Sequence, residues 1–229
     1  MSGKHTSAPS NGDSVPVYLS TPAGGSGPGV VVIQEWWGLV PHIQDVCDRF
    51  AAEGFVAAAP DLYRGAKADN SEPDRAGELL MAMALDRAAK DMVGTVEDLL
   101  ARPEVTSDTV GVVGFCMGGG LALKLATLTP KVSAVAAFYG FPRDGLTWDL
   151  GQIAGAVQYH QAELDDFAPD ELVQEMKAEL DAAGVRNEFF SYPGTQHAFF
   201  NDDRPEIHDA TAAELSWGRT LDLFRTNVR

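Results

Sequence analysis

The chain has 229 residues, 45% of them apolar, enough to bury a full core within one α/β domain at the upper end of the usual size range. Its 17 basic against 33 acidic residues give a formal charge of −16, which repels phosphate backbones and anionic lipid surfaces and argues against nucleic acid or membrane as partners. No run of apolar residues approaches a membrane span, and the first 28 residues are polar and rich in Ser, Gly and Pro, without the apolar block of a signal peptide.

These features predict a cytoplasmic chain forming one domain over residues 1–229, with residues 1–14 a flexible N-terminus. Only two cysteines occur, Cys47 and Cys116, too few for a disulfide scaffold. Neither has a partner at zinc-ligand spacing, so no metal and no cofactor are expected.

In chain order, Gly29 to Gln34 is a short, continuous β-branched run of the kind that forms a strand buried on both faces. It ends at Glu35-Trp36-Trp37-Gly38. Helical periodicity runs from about Pro41 to Glu53, carries Cys47 on or beside its buried face, and stops at Gly54. Phe55 to Pro60 reads as the next strand, and a long helical tract spans Pro73 to Leu100. The strand Val110 to Phe115 follows, then a helix containing Leu121 to Ala126, and then strands at Val132 to Tyr139 and Gly155 to His160. A helix near Pro169 to Ala183, a strand from Arg186 to Tyr192 and a helix near Glu206 to Phe224 close the chain. Strands alternating with helices imply a doubly wound, mainly parallel sheet with helices on both faces, whose ligands bind at the C-terminal ends of the strands.

The run Gly114-Phe115-Cys116-Met117-Gly118-Gly119 joins the strand to its helix through a Gly-x-Cys-x-Gly turn. Glycines two before and two after the central residue permit so sharp a turn that the central side chain stands at its apex, the arrangement of a nucleophile elbow with Cys in place of Ser. The thiol then lies at a helix N-terminus, where the macrodipole favours its anion. Two further strand ends carry polar residues: Gln161 to Pro169, with Asp165 and the neighbouring Asp166, and Pro193 to Phe200, with His197. Nucleophile, acid and histidine occur in that order on different loops, as in α/β-hydrolases. A buried packing Cys, a helix-capping Asp and a structural His are the plainer readings of the same three residues.

Together the elbow, the strand-end Gln34-Glu35-Trp36-Trp37-Gly38, the segment His160 to Pro169 and the loop Tyr192 to Phe199 resemble the dienelactone hydrolase (carboxymethylenebutenolidase) family, over nearly all of residues 15 to 228. The resemblance implies the α/β-hydrolase fold. It implies Cys116 as nucleophile, His197 as general base and acid, and Asp165 as the carboxylate that orients the imidazole, since the family's acid lies two residues before the aromatic Phe167 and four before Pro169. It further implies an oxyanion hole from the N–H groups of Met117 and Trp36, and Glu35 as the group that accepts the thiol proton and responds to substrate.

Where classical dienelactone hydrolases carry an Arg four residues after the histidine, this chain has Asn201. Arg204, Arg75 and Arg64 are the remaining candidates for holding a substrate carboxylate, each with a surface ion pair as its alternative. Trp36, Trp37, Tyr139, Phe199 and Phe200 are candidates for lining an apolar acyl or aryl pocket, with core packing as the equal alternative for each, and Trp148 and Trp217 read as packing residues. The expected activity is cleavage of a small ester or lactone through an acyl-cysteine, by a monomer or small homo-oligomer. A general carboxylesterase or thioesterase is the alternative that Asn201 favours, and a noncatalytic binding or redox-sensing module built on Cys116 is the alternative from another class.

Overall fold

The computed structural model describes residues 3–10, 12–141 and 149–229. Eight strands form one sheet: β1 (Lys4–Ser10), β2 (Asp13–Ser20), β3 (Gly27–Ile33), β4 (Val56–Pro60), β5 (Val105–Phe115), β6 (Val132–Phe138), β7 (Ala156–Leu164) and β8 (Asn187–Gln196). Their order across the sheet is β1-β2-β4-β3-β5-β6-β7-β8. β1 and β2 are antiparallel to each other, β2 is antiparallel to β4, and the pairs β3–β4, β6–β7 and β7–β8 are parallel. The described helices are α1 (Pro41–Ala52), α2 (Pro73–Ala82), α3 (Leu85–Ala101), α4 (Met117–Leu128), α5 (Asp170–Ala182) and α6 (Ala210–Asn227), with a 3₁₀ turn at Leu150–Gln152. This is the α/β-hydrolase fold. None of the helices, among the described residues, is long and apolar enough to cross a membrane.

The chain divides into two compact units, one running to Val112 and including Val228–Arg229, the other Val113–Asn227. The division falls inside β5, not at a linker, so no shift of composition marks it. In the first unit the run Val30 to Ile33 is wholly buried, as are Ile43, Val46, Cys47 and Phe50 of α1 and Met92, Val96 and Leu99 of α3. Within the N-terminal stretch 1–14, residues 4–10 pair in register with β2. Ser10 Oγ donates to the buried carboxylate of Asp91 on α3, which also receives the Arg64 guanidinium at 2.8 Å. Tyr18 and Ser20 of β2 donate to Asp48 of α1. The expected single helix over 73–100 is two, because the backbone is extended at Met83 and Ala84.

In the second unit, alternation along the strands sends neighbouring side chains to opposite faces. His160 and Phe190 meet α6, through a contact of 3.3 Å between His160 Nε2 and Thr220 Oγ1 and through Arg219 over the Phe190 ring. Tyr159 and Phe189, one residue earlier on each strand, stack on each other and meet α5 through Lys177 over the Phe189 ring. Helices therefore cover both faces here.

β7 and β8 run past the expected ends at His160 and Tyr192, to Leu164 and Gln196. Between them the register slips: Ala162 faces Tyr192 but Leu164 faces Gln196, so two steps along β7 match four along β8. The excess is taken up at Pro193 to Thr195, where Gly194 sits at φ 74° and gives its N–H to Glu163. This bulge brings the residues that follow each strand, Asp165 and His197, level with one another.

Candidate active site

Cys116 occupies the turn between β5 and α4 at φ 56°, ψ −122°, a conformation that L-residues adopt only under constraint. The constraint is visible in its neighbours. Its N–H donates to Phe138 O at 3.0 Å at the end of β6, and its C=O accepts the Gly119 N–H at 2.9 Å. A Cβ on Gly114 would strike the Gly118 carbonyl, and one on Gly140 would strike the carbonyl of Cys116 itself. The elbow read from the sequence is thus present, with a partly exposed thiol at its apex. Cys47 is fully buried on α1, and burial, with the charges of Asp48 and Asp45, pushes its thiol well above the usual range.

His197 follows β8. Its Nδ1 lies 3.0 and 2.9 Å from the two carboxylate oxygens of Asp165, whose side chain is almost wholly buried. With Nδ1 taken, Nε2 is the ring nitrogen left for a nucleophile. Burial by itself lowers the affinity of His197 for its proton. The negative forms of Cys116 and Asp165 and their hydrogen bonds outweigh it, holding the imidazole pKa at about 10. Asp166, the sequence alternative to Asp165, is exposed.

Aromatic rings pack around the imidazole. Tyr139, forced to φ 38°, gives its N–H to His160 O and sets its ring 5.0 Å from that of His197. Phe199 packs on Tyr139 and Tyr192, and Phe200 stacks on Phe115. Of the candidates for pocket lining or core packing, Tyr139, Phe199 and Phe200 are buried. Phe167 is the ring that sequence reasoning passed over. It lies 4.8 Å from the His197 ring and is half exposed. Its signal was an aromatic two residues after the acid in a strand-end loop, which served only to align Asp165.

Asn201 is buried, and its Oδ1 accepts the Asp203 N–H to close a turn after His197. The candidate cations are engaged in ion pairs: Arg204 with Glu206, Arg75 with Glu78, and Arg64 with Asp91 and Asp13. The surface-pair alternative describes Arg204 and Arg75, whereas Arg64 is paired with the buried carboxylate of Asp91 as well as with the exposed Asp13. In the first unit, Glu35 lies two residues past β3 and is 1% exposed, followed by Trp36 edge-on to the buried Trp37. Trp217 packs beside Phe200, and Trp148 lies outside the described residues. No cluster of three or more potential metal ligands occurs among the described residues.

A model of the dienelactone hydrolase family matches residues 15–228. Protein usf of Aquifex pyrophilus is 39% identical over 222 residues, 94% of each chain. An Aquifex aeolicus protein named "putative carboxymethylenebutenolidase" is 35% identical over 227 residues, 96% of each chain. Among solved structures, a dienelactone hydrolase-like promiscuous phosphotriesterase from metagenomic libraries superposes with a TM-score of 0.87 at 25% identity, covering 99% of this chain and 98% of its own.

Proposed function

The chain belongs to the dienelactone hydrolase family and is a hydrolase, and from that premise we propose that it cleaves an ester or lactone through Cys116, His197 and Asp165 by way of an acyl-cysteine. The observation that carries this reading is the imidazole of His197, bound through Nδ1 to Asp165 and raised in its proton affinity by the charges of Cys116 and Asp165.

Sγ of Cys116 attacks the substrate carbonyl, its proton residing on His197 Nε2, and the carbonyl π electrons move to oxygen. Met117, the first residue of α4, is the oxyanion donor that the family resemblance implies. The tetrahedral species collapses, the bond to the alcohol oxygen breaks, and Nε2 gives that oxygen its proton. Water then repeats the sequence on the thioester: its proton passes to His197, the carbon–sulfur bond breaks, and acid and thiol are released. Asp165 keeps Nδ1 protonated throughout and offsets the imidazolium charge. The roles of Glu35 as proton acceptor and of Trp36 N–H as second oxyanion donor rest on the family resemblance.

A small uncharged ester or thioester is favoured over a carboxylated lactone, because Asn201 replaces the classical Arg and the candidate arginines are tied to carboxylates. A noncatalytic redox module has no use for the His197–Asp165 pair. Mass spectrometry of protein quenched during turnover of a slow aryl ester tests the reading: an acyl mass on the peptide holding Cys116, absent in Cys116→Ala, is expected. Full turnover by Cys116→Ala overturns it.

A further inference from the structure

We propose that Phe167 forms the subsite for the leaving alcohol, and that this subsite takes an uncharged aryl or bulky alkyl group; the proposal rests on the triad reading of His197. The oxygen that departs must come within hydrogen-bond distance of Nε2 to collect its proton, so whatever that oxygen carries lies close over the imidazole. Among the described residues, the rings of Tyr139 and Phe167 meet the imidazole. Tyr139 is 1% exposed and spends its surface on Phe115, Phe138 and Phe199. Phe167, 4.8 Å away and inclined at 48°, is 52% exposed and offers a free face beside the proton donor.

The ring is held in place for this purpose by its own backbone, since the Phe167 N–H donates at 2.8 Å to Oδ1 of Asp165, the carboxylate that orients the histidine. Exposed apolar side chains scattered singly over a surface need no explanation. One seated against the imidazole, on the loop of the acid that orients it, forms a wall for an apolar group. Asp166, the residue before Phe167, is exposed. Its charge disfavours a carboxylate on the departing group and leaves aryl or branched alkyl alcohols as the chemistry that fits.

The test compares kcat/KM of the full-length protein and of Phe167→Ala, Phe167→Leu and Phe167→Trp on 2-naphthyl acetate and methyl acetate, with Cys116→Ala run on the same esters. Taking each variant relative to the parent on the same ester cancels the intrinsic reactivity of the leaving group. Phe167→Ala is expected to lower kcat/KM for the naphthyl ester about tenfold more than for the methyl ester, mainly through KM, from the lost ring contact and apolar burial. Phe167→Trp is expected to restore the difference, and Asp166→Lys to raise kcat/KM for 4-acetoxybenzoate relative to phenyl acetate. An equal loss on both esters, confined to kcat, would show that Phe167 only positions the imidazole and would overturn the subsite, as would no loss on either. If Phe167→Ala does not fold, Phe167→Leu decides by the same comparison. Turnover by Cys116→Ala sinks the triad reading itself and is seen separately from any effect at Phe167.

Discussion

Asp165 and Phe167 hold each other: Oδ1 of Asp165 accepts the backbone N–H of Phe167 at 2.8 Å and that of Ala168 at 3.0 Å, while both carboxylate oxygens face His197. The carboxylate is thereby oriented by its own loop before the histidine meets it. Asp165→Asn places a donor where the His197 Nδ1–H must be accepted, and kcat/KM on an aryl acetate is expected to fall by on the order of 10³–10⁴-fold. Asp166→Asn, at an exposed side chain, is expected to stay within about twofold. The opposite ranking would move the acid to Asp166.

The two cysteines separate by reactivity. Cys47 is fully buried and its thiol is pushed up by that burial, whereas Cys116 is partly exposed at a helix N-terminus. Native protein treated with iodoacetamide is expected to take up one carbamidomethyl group, on Cys116, with loss of esterase activity in step. Protein unfolded in guanidinium takes up two. Modification of Cys47 at a comparable rate in the native state contradicts this.

Two histidines set opposite limits on stability. His160 is held neutral by burial, reinforced by the charge of Arg219, with its pKa lowered from 6.5 to about 3. Below pH 6.5 the unfolded chain therefore binds a proton that the folded chain refuses. The stability present above 6.5 is lost as pH falls toward 3, by at most about 1.4 kcal/mol per pH unit. His197 behaves in reverse: with its pKa raised to about 10, its contribution is complete below 6.5 and is lost as pH rises through 10. Urea melts across the pH range should show His160→Gln flattening the acid limb and His197→Gln flattening the alkaline one. An unchanged acid slope in the first variant means that another group carries it.

Tyr159 is buried, and its hydroxyl has no hydrogen-bond partner. Burial, with the negative charges of Asp165 and Cys116, raises its pKa, so the phenol keeps its proton. An unsatisfied buried hydroxyl costs about 1–3 kcal/mol, so Tyr159→Phe is expected to be neutral or to stabilise by up to that amount in urea unfolding. A loss of stability beyond about 1 kcal/mol would show that the hydroxyl has an acceptor in solution.

Legibility in the sequence followed how local each determinant is. The β-branched run Val30 to Ile33 and the Gly-flanked Cys116 announce a buried strand and a strained turn, because both need only the residues that form them. β1 is different. Lys4 to Ser10 is polar and short, as an edge strand should be, and becomes a strand only by pairing with β2. The break at Met83 and Ala84 carries neither Gly nor Pro, so periodicity ran through it. Helix α6 begins at Ala210 and not near Glu206, because residues 206–209 belong to a turn that ties Asp209 to Phe199 O and aims the Asp209 side chain at the Ala212 N–H, an N-cap signal available in the sequence. At the site, the order of Cys116, Asp165 and His197 was readable, but the bulge that aligns the last two depends on how β7 and β8 pair. Exposure of Phe167 is a tertiary property, and so the ring served as a spacing marker and nothing more.

The strain at Cys116 also limits which chemistries the position can host. The cost of φ 56° falls on the backbone and is borne alike by any unbranched residue with a Cβ. Serine fits the same turn, so exchanging a soft sulfur for a hard oxygen changes one atom and leaves the scaffold untouched. Threonine, branched at Cβ, is a severe outlier at such an angle, and glycine relieves the strain only by deleting the reacting group. For the nucleophile role proposed for Cys116, the turn therefore accepts a thiol or an alcohol alike without refolding.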